Sequence, residues 1–126
     1  LPVRLLGRRD DVPDLLAAAD LVVSTSITEG QPVALQEAML AGCAILATDV
    51  GGTGETVRDG AMLVQPVAGD LAGGIVQLMA DPEKLAELRR RAANRAAQLP
   101  TSQDLAAQLR RAYAGPRPIS SAMPRA

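Results

Sequence analysis

Two short apolar runs, Leu21-Val22-Val23-Ser24 and Ala44-Ile45-Leu46-Ala47, with the segment from Gln31 to Gly42 between them, decide how this chain folds. Neither run alternates apolar with polar residues. Continuous apolar runs of this length are the pattern of strands covered on both faces, as in a parallel sheet flanked by helices. The segment between them carries Pro32, suited to a first helical turn, and Gly42, suited to a helix stop. At about 100° per residue only Gln36 and Glu37 interrupt its apolar wheel, so this helix is expected to be largely buried.

The same alternation extends outward. Upstream, Val3-Arg4-Leu5-Leu6-Gly7 reads as a strand closed by glycine, and Asp11-Val12-Pro13-Asp14 starts a helix through Leu15, Leu16 and Ala19. Downstream, Ala61-Met62-Leu63-Val64 reads as a further short strand, followed by a helix over Leu71 to Ala80. Asp81-Pro82-Glu83 joins an N-cap, a proline at the first position and an acid facing the positive end of the helix dipole. Leu85, Leu88, Ala92 and Ala96 form the stripe of that helix. Thr101 and Asp104 are spaced as a capping box, and Leu105, Leu109, Ala112 and Tyr113 form the stripe of a last helix. Residues 1–114 therefore read as one domain, and 115–126, with their Pro and Ser, as a disordered tail. Alternating strands and helices predict a doubly wound α/β sheet, whose ligands bind beyond the carboxyl ends of the strands. The loops at Gly7 to Asp10, Ser24 to Pro32 and Thr48 to Glu55 lie there.

Composition narrows the chemistry. The 126 residues suit a single compact domain. With 48% apolar and 21% charged residues the chain can build a core, and with Tyr113 its only aromatic residue that core must be aliphatic. A net charge of −1 supplies no field for gathering nucleic acid, so no nucleic-acid partner is expected. Without histidine, and with Cys43 alone, an internal disulfide, a Cys/His metal site and the Ser-His-Asp and Cys-His nucleophiles are out of reach. Any general acid or base must be Asp or Glu. No apolar run reaches the roughly 18 residues of a membrane span and the first residues lack the basic and apolar segments of a signal peptide, so the expected setting is cytoplasmic, the cytoplasmic membrane face included.

The loop Ser24-Thr25-Ser26-Ile27-Thr28-Glu29-Gly30-Gln31-Pro32 joins a strand's carboxyl end to a helix start. Gly30 permits close backbone approach, and the amides of Gln31, Val33 and Ala34 are free to donate, to an anion or simply to water. Glu37 falls eight positions after Glu29, on the expected buried wheel. An unpaired buried charge costs several kcal/mol, so Glu37 must find donors, become protonated or serve a ligand. A ribose diol and a backbone amide can each supply such donors. Gly51-Gly52-Thr53-Gly54 lacks the dinucleotide register and a following Lys-Ser/Thr, and reads as a turn at the rim of the crevice. Arg89-Arg90-Arg91 reads as a solvated stretch, and Cys43 as packing.

The run Glu29-Gly30-Gln31-Pro32-Val33-Ala34-Leu35-Gln36-Glu37-Ala38-Met39 resembles the Glu, seven residues, Glu signature of the retaining GT-B-fold glycosyltransferases of the group 1, family 4 type. Leu5-Leu6-Gly7-Arg8, Asp11-Val12-Pro13, Ala41-Gly42, Ala47-Thr48-Asp49-Val50-Gly51-Gly52 and Glu55 are similar to that family's other blocks, in the same order. The segment after Asp59-Gly60 is shorter than usual, and the aromatic residue often found before the last helix is missing near Pro100. The resemblance implies a partial Rossmann-like sheet, the second half of the C-terminal nucleotide-sugar-binding domain, with a helical C-terminal segment. It implies that Glu29, the catalytic candidate, contacts hydroxyls of the donor sugar and that Glu37 holds the nucleotide ribose. Gly30, Gln31 and Val33 would present amides to the diphosphate or sugar, and Gly7 and Arg8 would lie near the base.

The implied reaction is that of a retaining hexosyltransferase using a nucleoside-diphosphate sugar, without metal or cofactor. The acceptor-binding N-terminal domain, and two strand-helix units that supply an Arg and a Lys for the phosphates, are expected outside this sequence. This stretch alone is then expected to bind without turnover. Its exposed sheet edges are expected to pair with another chain, as a homo-oligomer or by strand exchange, unless the first strand moves beside the second. The alternative is a free-standing, non-catalytic binding or interaction module on the same fold.

Overall fold

The computed structural model describes residues 3–115. The expected tail lies outside the described residues from 116 onward. Nine elements follow in order: α1 (Val12–Ala18), β1 (Val22–Ser24), α2 (Val33–Leu40), β2 (Ile45–Thr48), α3 (Thr53–Val57), β3 (Met62–Val64), α4 (Ala68–Met79), α5 (Pro82–Ala96) and α6 (Ser102–Ala114), with a 3-10 turn at Arg58–Gly60. The strands form one parallel sheet in the order β1-β2-β3, with Val22 opposite Ile45 and Leu46 opposite Met62.

β2 is the centre of the molecule and every residue in it is buried. Its side chains alternate between two apolar clusters, as strand geometry requires. Ile45 and Ala47 pack with Leu35 and Met39 of α2, Val57 of α3 and Ala92 of α5. On the opposite face Leu46 packs with Leu78 of α4 and Leu88 of α5. Gly74 lets α4 lie directly on the sheet, since a Cβ there would stand 2.9 Å from Leu46 Cδ1.

The predicted caps form as read. The Asp81 side chain accepts from the Lys84 amide at 3.0 Å, and Thr101 and Asp104 close the reciprocal box at the start of α6. Gly42 ends α2 at φ +73°, the left-handed region a glycine enters freely. Pro32 sits one place earlier than expected, as the N-cap of α2. Cys43 packs in the core, its thiol donating to Leu16 O at 3.1 Å, and burial pushes that thiol's pKa up.

Other expectations are corrected. The run Val3 to Gly7 forms no strand and does not move beside β1; Val3 is 82% and Leu5 93% exposed. A strand owes its hydrogen bonds to a neighbour, and no described strand lies beside this one. β1 and β3 are half-covered edges, unlike β2, so the apolar run Leu21 to Ser24 is not buried on both faces. α2 turns one face inward through Leu35, Ala38 and Met39, and leaves Val33, Glu37 and Leu40 exposed. The helix expected from Leu71 begins at Ala68. α3 and the turn after it went unpredicted, because five residues are too few to show a helical period. α6 forms, but Leu105, Leu109 and Tyr113 on its stripe stay exposed.

Because Leu46 joins the central strand to α4 and α5, Leu46→Ala should destabilise the chain by about 2–5 kcal/mol, the range for opening a buried cavity. Urea unfolding followed by circular dichroism measures it. A loss below about 1 kcal/mol would place Leu46 outside the core.

Candidate functional site

The carboxyl ends of β1 and β2 point the same way, so the loops that leave them meet. The loop after β1 carries Ser26, Glu29 and Gly30; the loop after β2 carries Gly51 and Gly52. Three contacts join or shape them. Thr48 Oγ1, buried at the end of β2, donates to Ser26 O at 2.5 Å. The Gly52 amide donates to Glu29 O at 3.0 Å. Ser26 Oγ donates to Glu29 Oε1 at 2.7 Å, which fixes a half-buried carboxylate while Oε2 takes no hydrogen bond among the described residues.

Close packing of backbone against backbone makes this junction possible. A Cβ on Gly51, whose φ is +50°, would stand 1.9 Å from Glu29 O, and one on Gly52 would stand 1.9 Å from Gly30 O. Only glycine fits at either position. The Gly51-Gly52 pair, read from sequence as a rim turn, is therefore the wedge that sets the height of the Glu29-Gly30 loop. Gly30 itself has nothing within 4 Å of an added Cβ.

Beyond Gly30 the chain enters α2. Its first described helical bond runs from Gln36 N to Pro32 O at 3.3 Å, and no side chain caps the helix. The amides of Val33 and Ala34 have no intrahelical carbonyl, and with the helix dipole they favour negative charge. Gln31 is exposed just before them. One helical turn on, Glu37 projects into solvent at the wall of a groove between α1 and α2. The groove holds about 400 Å³, and Val12, Pro13, Leu16 and Leu40 line it with Glu37 as the one charged lining residue. The expected burial of Glu37 is thus overturned. Its helix needs to cover only one face, and the carboxylate lies on the other.

The loop from Gly7 to Asp11 lies apart from these contacts. Gly7 takes φ +64°, and Arg8 lines an open surface hollow with Arg9, Asp10 and Asp11. Asp11 turns its carboxylate to Arg9, whose guanidinium lowers the carboxyl pKa, and so gives no side-chain cap to α1. Sequence reading did not single out Ser26, Thr48 or Arg95. Arg95 is 8% exposed and donates through Nε to Thr56 O at 2.9 Å. Its signal was present: it follows Ala92 by three positions, on the inward stripe of α5.

A parallel sheet with its polar loops at the carboxyl ends of the strands defines an α/β domain of the Rossmann-like kind. Residues 2–98 match the family of glycosyl transferases group 1, and the chain belongs to that family. It is similar to N-acetyl-alpha-D-glucosaminyl L-malate synthase of Bacillus anthracis, at 36% identity over 64% of this chain and 22% of that protein. It is also similar to D-inositol 3-phosphate glycosyltransferase of Rhodococcus erythropolis, at 40% identity over 60% of this chain and 18% of that protein. The chain thus spans about a fifth of the length of these relatives. Among solved structures it resembles Anabaena HepE in complex with UDP, with a TM-score of 0.80 and 32% identity over 88% of this chain and 32% of that one. Sucrose-phosphate synthase from Thermosynechococcus elongatus gives a TM-score of 0.71 and 30% identity over 79% of this chain and 26% of that one.

The wedge gives a paired prediction. Gly52→Ala should cost at least about 2 kcal/mol, because its methyl group must displace backbone, whereas Gly30→Ala should stay within about 0.5 kcal/mol. Thermal unfolding of both variants checks this, and equal losses would remove the wedge.

Proposed function

We propose that this stretch binds the nucleoside-diphosphate sugar of a retaining, metal-independent hexosyl transfer. The observation that carries the reading is Glu37, an exposed carboxylate in the wall of an otherwise apolar groove. Apolar walls suit the face of a nucleobase, and a carboxylate at their side accepts from the two hydroxyls of a ribose. The likeness to HepE in its complex with UDP supports the same reading. Gly7 and Arg8 lie toward the base. The diphosphate takes the amides of Gln31 and Val33 at the start of α2, with Gly30 allowing close approach. Glu29, oriented by Ser26, accepts from hydroxyls of the donor sugar and faces the positive charge that develops as the sugar parts from the phosphate. Donors already aimed at the departing phosphate stabilise it without reorganisation. The acceptor hydroxyl attacks the same face of the sugar and is held by residues outside this stretch. The open edge of β1 takes a further strand, from outside the stretch or from a second chain.

Titration calorimetry of the chain with uridine, guanosine and adenosine diphosphates and their sugar conjugates tests this. Glu37→Ala should weaken the best-bound ligand about 10- to 100-fold, the value of charge-assisted hydrogen bonds, with the circular dichroism spectrum unchanged. Unaltered affinity in that variant would remove the ribose assignment. Glu29→Gln should lower affinity for the sugar conjugate while leaving that for the bare diphosphate.

A further inference from the structure

Arg95 has no role in the donor site as described, yet it is the most deeply buried charged side chain among the described residues, 8% exposed. A guanidinium taken out of water needs acceptors, and a carboxylate is the usual one. No carboxylate of the described residues forms an ion pair with Arg95. It turns to backbone instead: Nε donates to Thr56 O at 2.9 Å and Nη2 to Glu55 O at 3.4 Å. Both carbonyls belong to the last turn of α3, where carbonyls lack intrahelical partners and the dipole is negative. α3 has only five residues and leaves through Arg58 at φ +50°, so it cannot stand on its own hydrogen bonds. Space for the clamp comes from Gly60, where a Cβ would stand 3.0 Å from the Arg95 Cβ.

The other end of α3 is the wedge. Thr56 donates twice to Gly52 O, from its amide at 3.1 Å and from Oγ1 at 2.9 Å. Gly52 donates in turn to Glu29 O. A continuous relay therefore runs from Arg95 through Thr56 and Gly52 to Glu29. We propose that Arg95 is a positioning residue for Glu29: by capping α3 it holds Gly52 against the loop and so sets the reach of the Glu29 carboxylate toward the donor sugar. The effect on the sugar rests on the donor-site reading; the hold on the loop does not.

Two measurements on the full chain separate these. Hydrogen exchange by nuclear magnetic resonance reads the Gly52 amide against the Leu78 amide in α4, which reports stability at a distance from the relay. In Arg95→Met the Gly52 amide should exchange about fivefold faster relative to Leu78, the factor that one neutral hydrogen bond is worth, and Arg95→Lys should restore part of it. Thr56→Val, near-isosteric and lacking only the Oγ1 link, should show the same direction through the second step of the relay, and Arg95→Gln, which lacks the guanidinium, decides the matter should Arg95→Met not fold. Calorimetry then compares a nucleoside diphosphate with its sugar conjugate. In Arg95→Met the gain in affinity due to the sugar should fall about fivefold while affinity for the bare diphosphate holds. Gly52 exchange that follows Leu78 in every folded variant overturns the proposal. Faster Gly52 exchange with an undiminished sugar gain overturns the positioning of Glu29. If the parent chain binds no sugar nucleotide, the donor reading fails, and Gly52 exchange still decides whether Arg95 holds the loop.

Discussion

Two backbone segments in this chain approach so closely that a single methyl group cannot enter between them. The Gly51-Gly52 turn after β2 lies against Glu29 and Gly30 after β1, and a Cβ on either glycine would fall 1.9 Å from a carbonyl oxygen. The position of the Glu29 loop is therefore set by the neighbouring strand's turn. Thr48 adds a second tie, reaching back from the end of β2 to Ser26 O. Because β2 is buried along its whole length, the strand end that carries these ties is seated in the core. A loop on a scaffold of this kind can hold a side chain without covering it with core.

Charge in the chain is arranged locally. Arg91 and then Arg90 pair with Glu87 on one exposed helical face and lower its carboxyl pKa, and such pairs contribute little to stability. Arg89 and Arg95 do something different from their neighbours. Arg89 donates to Ala19 O and Asp20 O after α1, and Arg95 caps α3, so α5 fastens two short helices by their carboxyl ends. Arg89 was read as part of a solvated stretch, and its two carbonyl contacts correct that reading. With a net charge of −1, attraction for an anion must come from such local arrangements, and the free amides at the start of α2 are one.

What could be read from the sequence was whatever is decided within a few residues. Asp81 and Thr101 form their caps because cap chemistry needs only the next turn. The runs Leu21 to Ser24 and Ala44 to Ala47 form parallel strands on either side of α2 in the sequence, because strand, helix and strand pack on one another in order. What could not be read depends on distant partners. Val3 to Leu6 has the composition of a strand but no described neighbour to pair with. Glu37 looked buried on an apolar wheel, but the wheel does not tell how many faces the rest of the chain covers. Gly51 and Gly52 looked like a turn, and only the fold brings Glu29 against them. The stripe on α6 is legible as a stripe, yet Leu105, Leu109 and Tyr113 stay exposed because no described element packs over them.

The loop wedged by Gly52 and the start of α2 together form the proposed donor site. Amide chemical-shift mapping of the isotopically labelled chain with the nucleoside-diphosphate sugar it binds best tests this most directly. Shifts should concentrate at Gly30, Gln31, Val33, Ala34 and Glu37 and carry to Gly52, with the amides of α6 unmoved. Shifts centred on α6 or on the outer face of α4, or none with any sugar nucleotide at saturating concentration, would contradict it.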